Sequence, residues 1–236
     1  MAAPLLPLAD DYWLAAHDTV KGTSRLSPRT LGIGVGSALL AELMFAGNIT
    51  LSQSRLFITW DCPPPNDPAL TPVLNQLVEE EQRQAEMSRP DGRGHRAGRH
   101  DPGQDVREWI AYLATDDRAA DLVARRLSQS GHVEIGVRRT WTGKRVETYV
   151  PRDANTAGWP GSRISTATQR GLYLGPQDLV LAGLFLATGL HQHSLSQLES
   201  RDFRELGEQL RTRMHDMLRE LVSHAETAVG EAVMTR

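Results

Sequence analysis

The chain has one cysteine, two lysines and no apolar run long enough to cross a bilayer, and each shortage excludes a class of protein. Cys62 alone cannot make an internal disulfide or a Cys-based zinc cluster, so the chain reads as intracellular. The longest apolar run, Leu179 to Leu190, falls short of the roughly 20 residues a spanning helix needs, and is expected to be a buried helix. Pro4, Pro7 and the Asp10-Asp11 pair interrupt the N-terminal apolar stretch, and no targeting segment is expected there. Apart from Lys21 and Lys144 the basic side chains are arginines, whose planar fork suits phosphate and carboxylate. Lys plus Arg is 26 against 29 Asp plus Glu, a net charge of −3. That excludes a bulk basic coat for nucleic acid, while a local basic patch stays open.

What is present is a globular composition. Of 236 residues, 40% are hydrophobic and 23% charged, which supports a sizeable core and rules out global disorder. Helical spacing dominates. A short apolar lead-in from Pro4 ends near His17, and Lys21 to Arg29 reads as a loop. Gly32, Gly34 and Gly36 precede a helix beginning at Ser37 and stopped by Gly47-Asn48. A short strand pair fits Ile49 to Trp60, and Asp61 to Pro72 is Pro-rich loop. Helices are expected over Ala69–Met87, Val106–Ala114 and Asp116–Ser130, with Asp116 as the N-cap of the last. His132–Thr140 and Arg145–Val150 read as the arms of a hairpin with Gly143 at its turn. Pro151–Gly161 reads as loop, and Ser162–Leu174 as a moderately polar helix. Gln177–Leu190 reads as the most buried helix, and Leu195–Val233 as one long amphipathic region. Arg89 to Asp105, built mainly from Gly, Arg, His and Asp, carries no apolar periodicity and reads as a disordered insertion.

Several constellations invite a chemical reading, and most have a plainer one. The three glycines match neither a dinucleotide fingerprint nor a P-loop, and are best explained by close packing of a helix start. A helix N-terminus attracts anions, so that end remains a candidate for a lipid phosphate. His191 and His193 lack a third metal ligand nearby, and basic side chains are common at helix C-termini. Cys62 beside Pro63-Pro64-Pro65 reads as a lone thiol in a loop. No paired-carboxylate or nucleophile–base pattern can be argued from spacing, so no enzyme, cofactor or metal is expected. The hairpin carries Arg138, Arg139, Lys144 and Arg145 on its arms and Trp141 at its turn. A tip tryptophan suits a membrane interface, and each basic neighbour adds about 1 kcal/mol near an anionic surface. A packing or oligomerising hairpin explains the same residues equally well.

Ala38-Leu39-Leu40-Ala41-Glu42-Leu43 followed by Gly47-Asn48-Ile49, the Val106-Arg107-Glu108-Trp109-Ile110…Leu113 segment, Leu127…Gly131…Val133, and Asp178 to Ala187 recur together in one order. In that order and spacing the chain resembles the Golgi phosphoprotein 3 (GPP34) family, in its bacterial branch. The resemblance runs from about Leu5 to Leu198 and implies a mainly α, compact single domain over 1–236 with a projecting β-hairpin. In eukaryotic members it implies a peripheral membrane adaptor that binds phosphatidylinositol 4-phosphate and retains glycosyltransferases. The four lipid-pocket positions of that pattern fall on Ser27, Gly36, Asp117 and Ala120, and all four depart from it. Arg25, Arg29 and Arg118 are the nearby arginines available to replace the missing ones.

The reading that follows is a non-enzymatic, cytoplasmic, peripherally membrane-associated adaptor. Its expected partners are anionic lipid headgroups, a protein client and a second copy through the hairpin. The competing reading is a winged-helix-like DNA-binding regulator, with 116–130 as recognition helix and 132–150 as wing. Continuity of the Trp109 helix into 116–130 and the negative net charge weigh against it.

Overall fold

A computed structural model describes residues 5–19, 22–87, 103–139 and 145–234, with the backbone alone given at 137–139 and 145–148. The architecture is mainly α, with two small antiparallel sheets. Its centre is α1 (Leu8–Ala15), every residue of which is buried, including Asp10 and Asp11. α2 (Pro28–Phe45), α5 (Arg118–Gln129), α6 (Ala154–Gln169) and α7 (Pro176–Ala187) surround it. α7 is the buried apolar helix expected from the sequence. α10 (Asp216–Met234) packs across α2, α4 (Val106–Ala114) and α7.

Burying two adjacent aspartates requires partners, and the fold supplies two arginines. Arg126 of α5 donates to Asp10 Oδ1 at 2.8 Å, to Glu42 Oε2 at 2.9 Å and to Asp67 Oδ1 at 3.1 Å. Arg163 of α6 donates to Asp11 Oδ2 at 2.9 Å and also pairs with Asp178 of α7. These pairs fix α1 to its neighbours, and an unpaired charge at those depths would be strongly destabilising.

α2 starts earlier than its sequence suggests. Ser27 caps it, its Oγ accepting from Thr30 N at 3.2 Å, and Pro28 opens its first turn. Gly32, Gly34 and Gly36 therefore lie inside the helix and not ahead of it. A Cβ at Gly34 would sit 2.0 Å from Tyr12 Oη, and one at Gly32 would sit 2.7 Å from Ala114 Cα. Gly32 lets α2 lie almost backbone to backbone on α4, and Gly34 makes room for the Tyr12 ring of α1. A phosphate-binding turn at these glycines is thereby excluded.

The first sheet joins β1 (Ile49–Ser52), β2 (Arg55–Ile58) and β3 (Gln104–Asp105). The β1–β2 turn places Gln53 and Ser54 at φ 51° and 62°, the left-handed pair of a two-residue hairpin loop. β3 corrects the end of the proposed disordered insertion. Gln104 is buried, donating to Leu77 O at 2.8 Å and accepting from Trp109 Nε1, and Asp105 caps α4. Residues 89–102 of that stretch lie outside the described residues.

Other boundaries shift for local reasons. The α4–α5 junction is a 3₁₀ turn with Asp116 and Asp117 at φ 54° and 56°, so neither caps α5 and the two helices are not continuous. Asp153 caps α6 through Asn155 N and Thr156 N, so helix begins at Ala154, inside the expected loop. The C-terminal region is two helices, α9 (Ser200–Arg213) and α10, broken at Met214-His215. α3 (Leu70–Met87) and the hairpin β4 (Val133–Arg139) and β5 (Arg145–Pro151) stand as expected. His191 and His193 fall in a one-turn helix, α8 (His191–Ser194). Among the described residues no His, Cys, Asp and Glu group could hold a metal ion, and no helix could cross a membrane.

Candidate functional site

The close approach of α2 to α4, made by Gly32 against Ala114 and Gly36 against Leu113, opens a groove where α2 begins. Its volume is about 310 Å³, and its walls are Pro28, Arg29, Ala111, Ala114 and the Thr115-Asp116-Asp117 turn. The N-terminal end of an 18-residue helix lies beside it with no acidic residue in its first turn. Pro28 there has no N–H and the Thr30 N–H is taken by Ser27, so the helix dipole gives this end its positive character. Such an end attracts anions.

Two further arginines belong to the surroundings of the groove: Arg118, which follows its Asp116-Asp117 wall, and Arg107. Arg118 lies over the Tyr112 ring, 4.3 Å from its centroid, and 3.5 Å from an Asp116 oxygen. It is 40% exposed, so that pairing leaves part of its fork open to a ligand. Arg107 shares an adjoining small cavity with Arg29, His224 and Glu231, and its Nε donates to His224 Nδ1 at 3.3 Å. Sequence reasoning missed Arg107, which it quoted only as part of a family segment. The signal was its helical spacing, which puts it at the edge of the buried face of α4, in line with Ala111 and Ala114. Asp116, Asp117 and Glu231 offset part of the positive charge, so the corner favours anions without being a strong positive field.

The structure separates the three arginines proposed from sequence. Arg29 lines this groove, and Arg118 directly follows the Asp116-Asp117 turn that forms one of its walls. Arg25 pairs with Asp18 at 3.6 Å and lines a different cleft, beside α6 and α8. Of the positions carried over from the family pocket, Ser27 caps α2 and Asp117 lines the groove. Gly36 and Ala120 are buried where α2 packs on α5. Arg138, Arg139 and Arg145 lie in the paired hairpin strands, and their side chains are not described. Trp141 and Lys144 lie outside the described residues. Trp60, a tryptophan not weighed above, is 67% exposed. It stands near the far end of α2, about 24 Å along the helix from Arg29, and does not belong to the corner.

A second cluster looks catalytic and is not arranged for it. Ser54 Oγ lies 3.0 Å from His224 Nε2, and Ser54 holds a left-handed φ. In a nucleophile–base pair the other ring nitrogen donates to an acceptor. Here Nδ1 faces the Arg107 guanidinium, which can only donate. The neutral ring therefore carries its hydrogen on Nε2 and gives it to Ser54, so it cannot take the serine proton. Burial, then the Arg107 charge, lowers the His224 pKa and favours that neutral ring.

α5 bears on the DNA reading. The left-handed turn at Asp116-Asp117 removes one objection, since the two helices are distinct. Yet Ala119, Ala120, Val123, Ala124, Arg126 and Leu127 of α5 are buried, and its fully exposed positions are Asp121, Arg125 and Gln129. A recognition helix whose arginines toward solvent are Arg125 and, at its first residue and already paired with Asp116, Arg118 is poorly equipped for a phosphate backbone.

With this geometry in view, the comparison with known families is direct. The sequence profile of the Golgi phosphoprotein 3 (GPP34) family matches residues 8–235, nearly the whole chain, and the chain belongs to that family. No curated protein matches it.

Proposed function

From that membership as premise, we propose that the protein is a peripheral adaptor holding anionic lipid headgroups at the corner where α2 begins. The observation that supports this reading is one open groove lined by Arg29 at the start of α2, with Arg118 next in the chain to its Asp116-Asp117 wall. Arg107 extends the same patch. Of the positions that the family resemblance carries over, Asp117 lines the groove and Ser27 caps the helix that opens beside it, with Arg29 and Arg118 at adjacent positions in the chain. With acidic side chains interspersed, attraction is modest and headgroup selectivity poor. The hairpin, with Arg138, Arg139, Trp141, Lys144 and Arg145, supplies a second contact with the surface or with another copy. A protein client completes the adaptor role.

Co-flotation of the full chain with vesicles tests this reading. Vesicles containing phosphatidylserine should retain the protein at low salt and release it as salt rises, with little retention on phosphatidylcholine. Equal retention on both, or retention indifferent to salt, would leave the groove without a lipid role. A gel shift on duplex DNA, run in parallel, should show no complex at the salt where vesicles bind.

A further inference from the structure

Away from the arginine corner, a cleft of about 500 Å³ lies between the end of α1, α6 and the residues around α8. That is the size of a small-molecule site. One wall is a row of small residues on α6, Ala154, Ala157, Gly158 and Gly161, at spacings that share a helix face. The remaining lining is mostly hydroxyl and amide side chains, and none of the described lining residues is acidic. Small residues alone would signify only packing.

His17 makes the cleft more than packing. It is 8% exposed, and its Nδ1 lies 2.7 Å from the Trp13 carbonyl oxygen. A carbonyl only accepts, so Nδ1 carries the hydrogen and the neutral ring offers Nε2 as a bare lone pair. Nε2 has no hydrogen-bond partner among the described residues. The ring is stacked on Trp13 with centroids 3.5 Å apart, which prevents it from turning to find one. Burial holds its pKa near 4, so the ring is neutral at physiological pH. The backbone bridge from His17 to Ser24, with Arg25 N donating to Ala16 O at 2.8 Å, brings Arg25 alongside. Arg25 is the one arginine of the lining, and Asp18 at 3.6 Å already neutralises part of it. That charge suits a monoanion and not a dianion such as a phosphate monoester.

We propose that this cleft binds a hydroxylated monocarboxylate of sugar-acid size, one hydroxyl donating to His17 Nε2 and the carboxylate facing Arg25. The site shares no residue with the arginine corner, so either can fail alone.

The test is titration of the full chain with D-glucuronate at millimolar concentrations, followed by the ¹⁵N resonance of His17 Nε2 and by melting temperature. The resonance should move upfield and the melting temperature rise, both saturably. Acetate, which lacks the hydroxyls, and methyl glucoside, which lacks the charge, should each bind at least about ten-fold more weakly. Arg25→Gln should weaken glucuronate about ten-fold and leave methyl glucoside unaffected. A Cβ at Gly158 meets nothing within 4 Å, so Gly158→Leu should fold normally and fill the cleft. It should melt no lower than the wild type, since glycine is a poor helix former, and should show no glucuronate shift. Absence of a saturable shift in the wild type, an equal shift in Gly158→Leu, or acetate binding as well as glucuronate would overturn the proposal.

Discussion

Asp10, Glu42 and Asp67 turn their carboxylates toward the single guanidinium of Arg126, leaving more negative than positive charge in a mostly buried cluster. Burial, outweighing the attraction of Arg126, pushes Asp10 up to about 7, and burial likewise pushes Asp11 up to about 6. A carboxyl whose pKa is raised on folding binds its proton more tightly in the native state. Its contribution is therefore greatest at low pH and is lost as pH rises from about 4 to about 7. His17 acts oppositely: its lowered pKa removes stability as pH falls from 6.5 toward about 4. Between pH 6.5 and 7 the Asp10 effect should stand alone, at up to about 1.4 kcal/mol per pH unit. Melting temperatures across pH 6 to 8 should fall and then level off, and Asp10→Asn should flatten the fall. Arg126→Met leaves the three carboxylates without their cation and should cost about 3–5 kcal/mol in denaturant unfolding, more at pH 8 than at pH 5.5. None of this cluster was legible in the sequence. Asp10, Glu42, Asp67 and Arg126 are far apart along the chain, and an arginine in a helix looks the same facing water as facing a buried acid. Trp109 was legible, because Val106, Ile110 and Leu113 share its helix face. Its partner Gln104 was not, since a two-residue strand leaves no periodic trace.

Elements follow the same division. Periodicity identified α3, α4, α7 and the hairpin strands nearly to their ends, because an apolar stripe repeats over each. It failed where polar or small residues form helix. The first half of α2 is glycine-rich, so propensity argued against a helix that tertiary contact then imposed. The glycines remain the clearest test of that contact. Alanine is the better helix former by about 1 kcal/mol, yet Gly34→Ala would place its Cβ 2.0 Å from the buried Tyr12 hydroxyl. Tyr12 is held by its bond to Thr188 at 2.8 Å and cannot simply move aside. The substitution should destabilise by about 1–3 kcal/mol, as overpacking does, and thermal unfolding will show whether packing or propensity decides. In α4, Trp109→Ala should cost about 3–5 kcal/mol by the cavity it leaves, measured the same way. Its loss also strips Gln104 of a partner that helps anchor β3.

At the scale of the whole molecule, the candidate site arises from how the elements meet. Arg29, Arg107 and Arg118 are ordinary surface arginines in the sequence. They become a patch because α2 touches α4 closely and because a left-handed turn at Asp116-Asp117 redirects the chain into α5. Sequence reasoning reached two of the three, and included Arg25, because adjacency along the chain was its only guide to adjacency in space. The direct measurement is the affinity of the full chain for phosphatidylserine vesicles over a range of salt, compared between wild type, Arg29→Gln/Arg118→Gln and Arg25→Gln. Each arginine near an anionic surface is worth about 1 kcal/mol, so the corner pair should weaken binding by about 2 kcal/mol, roughly 30-fold, and flatten the salt dependence. Arg25→Gln should bind like the wild type. If the corner variant keeps wild-type affinity and salt slope while Arg25→Gln loses them, the headgroup site is not where α2 begins and the account is contradicted.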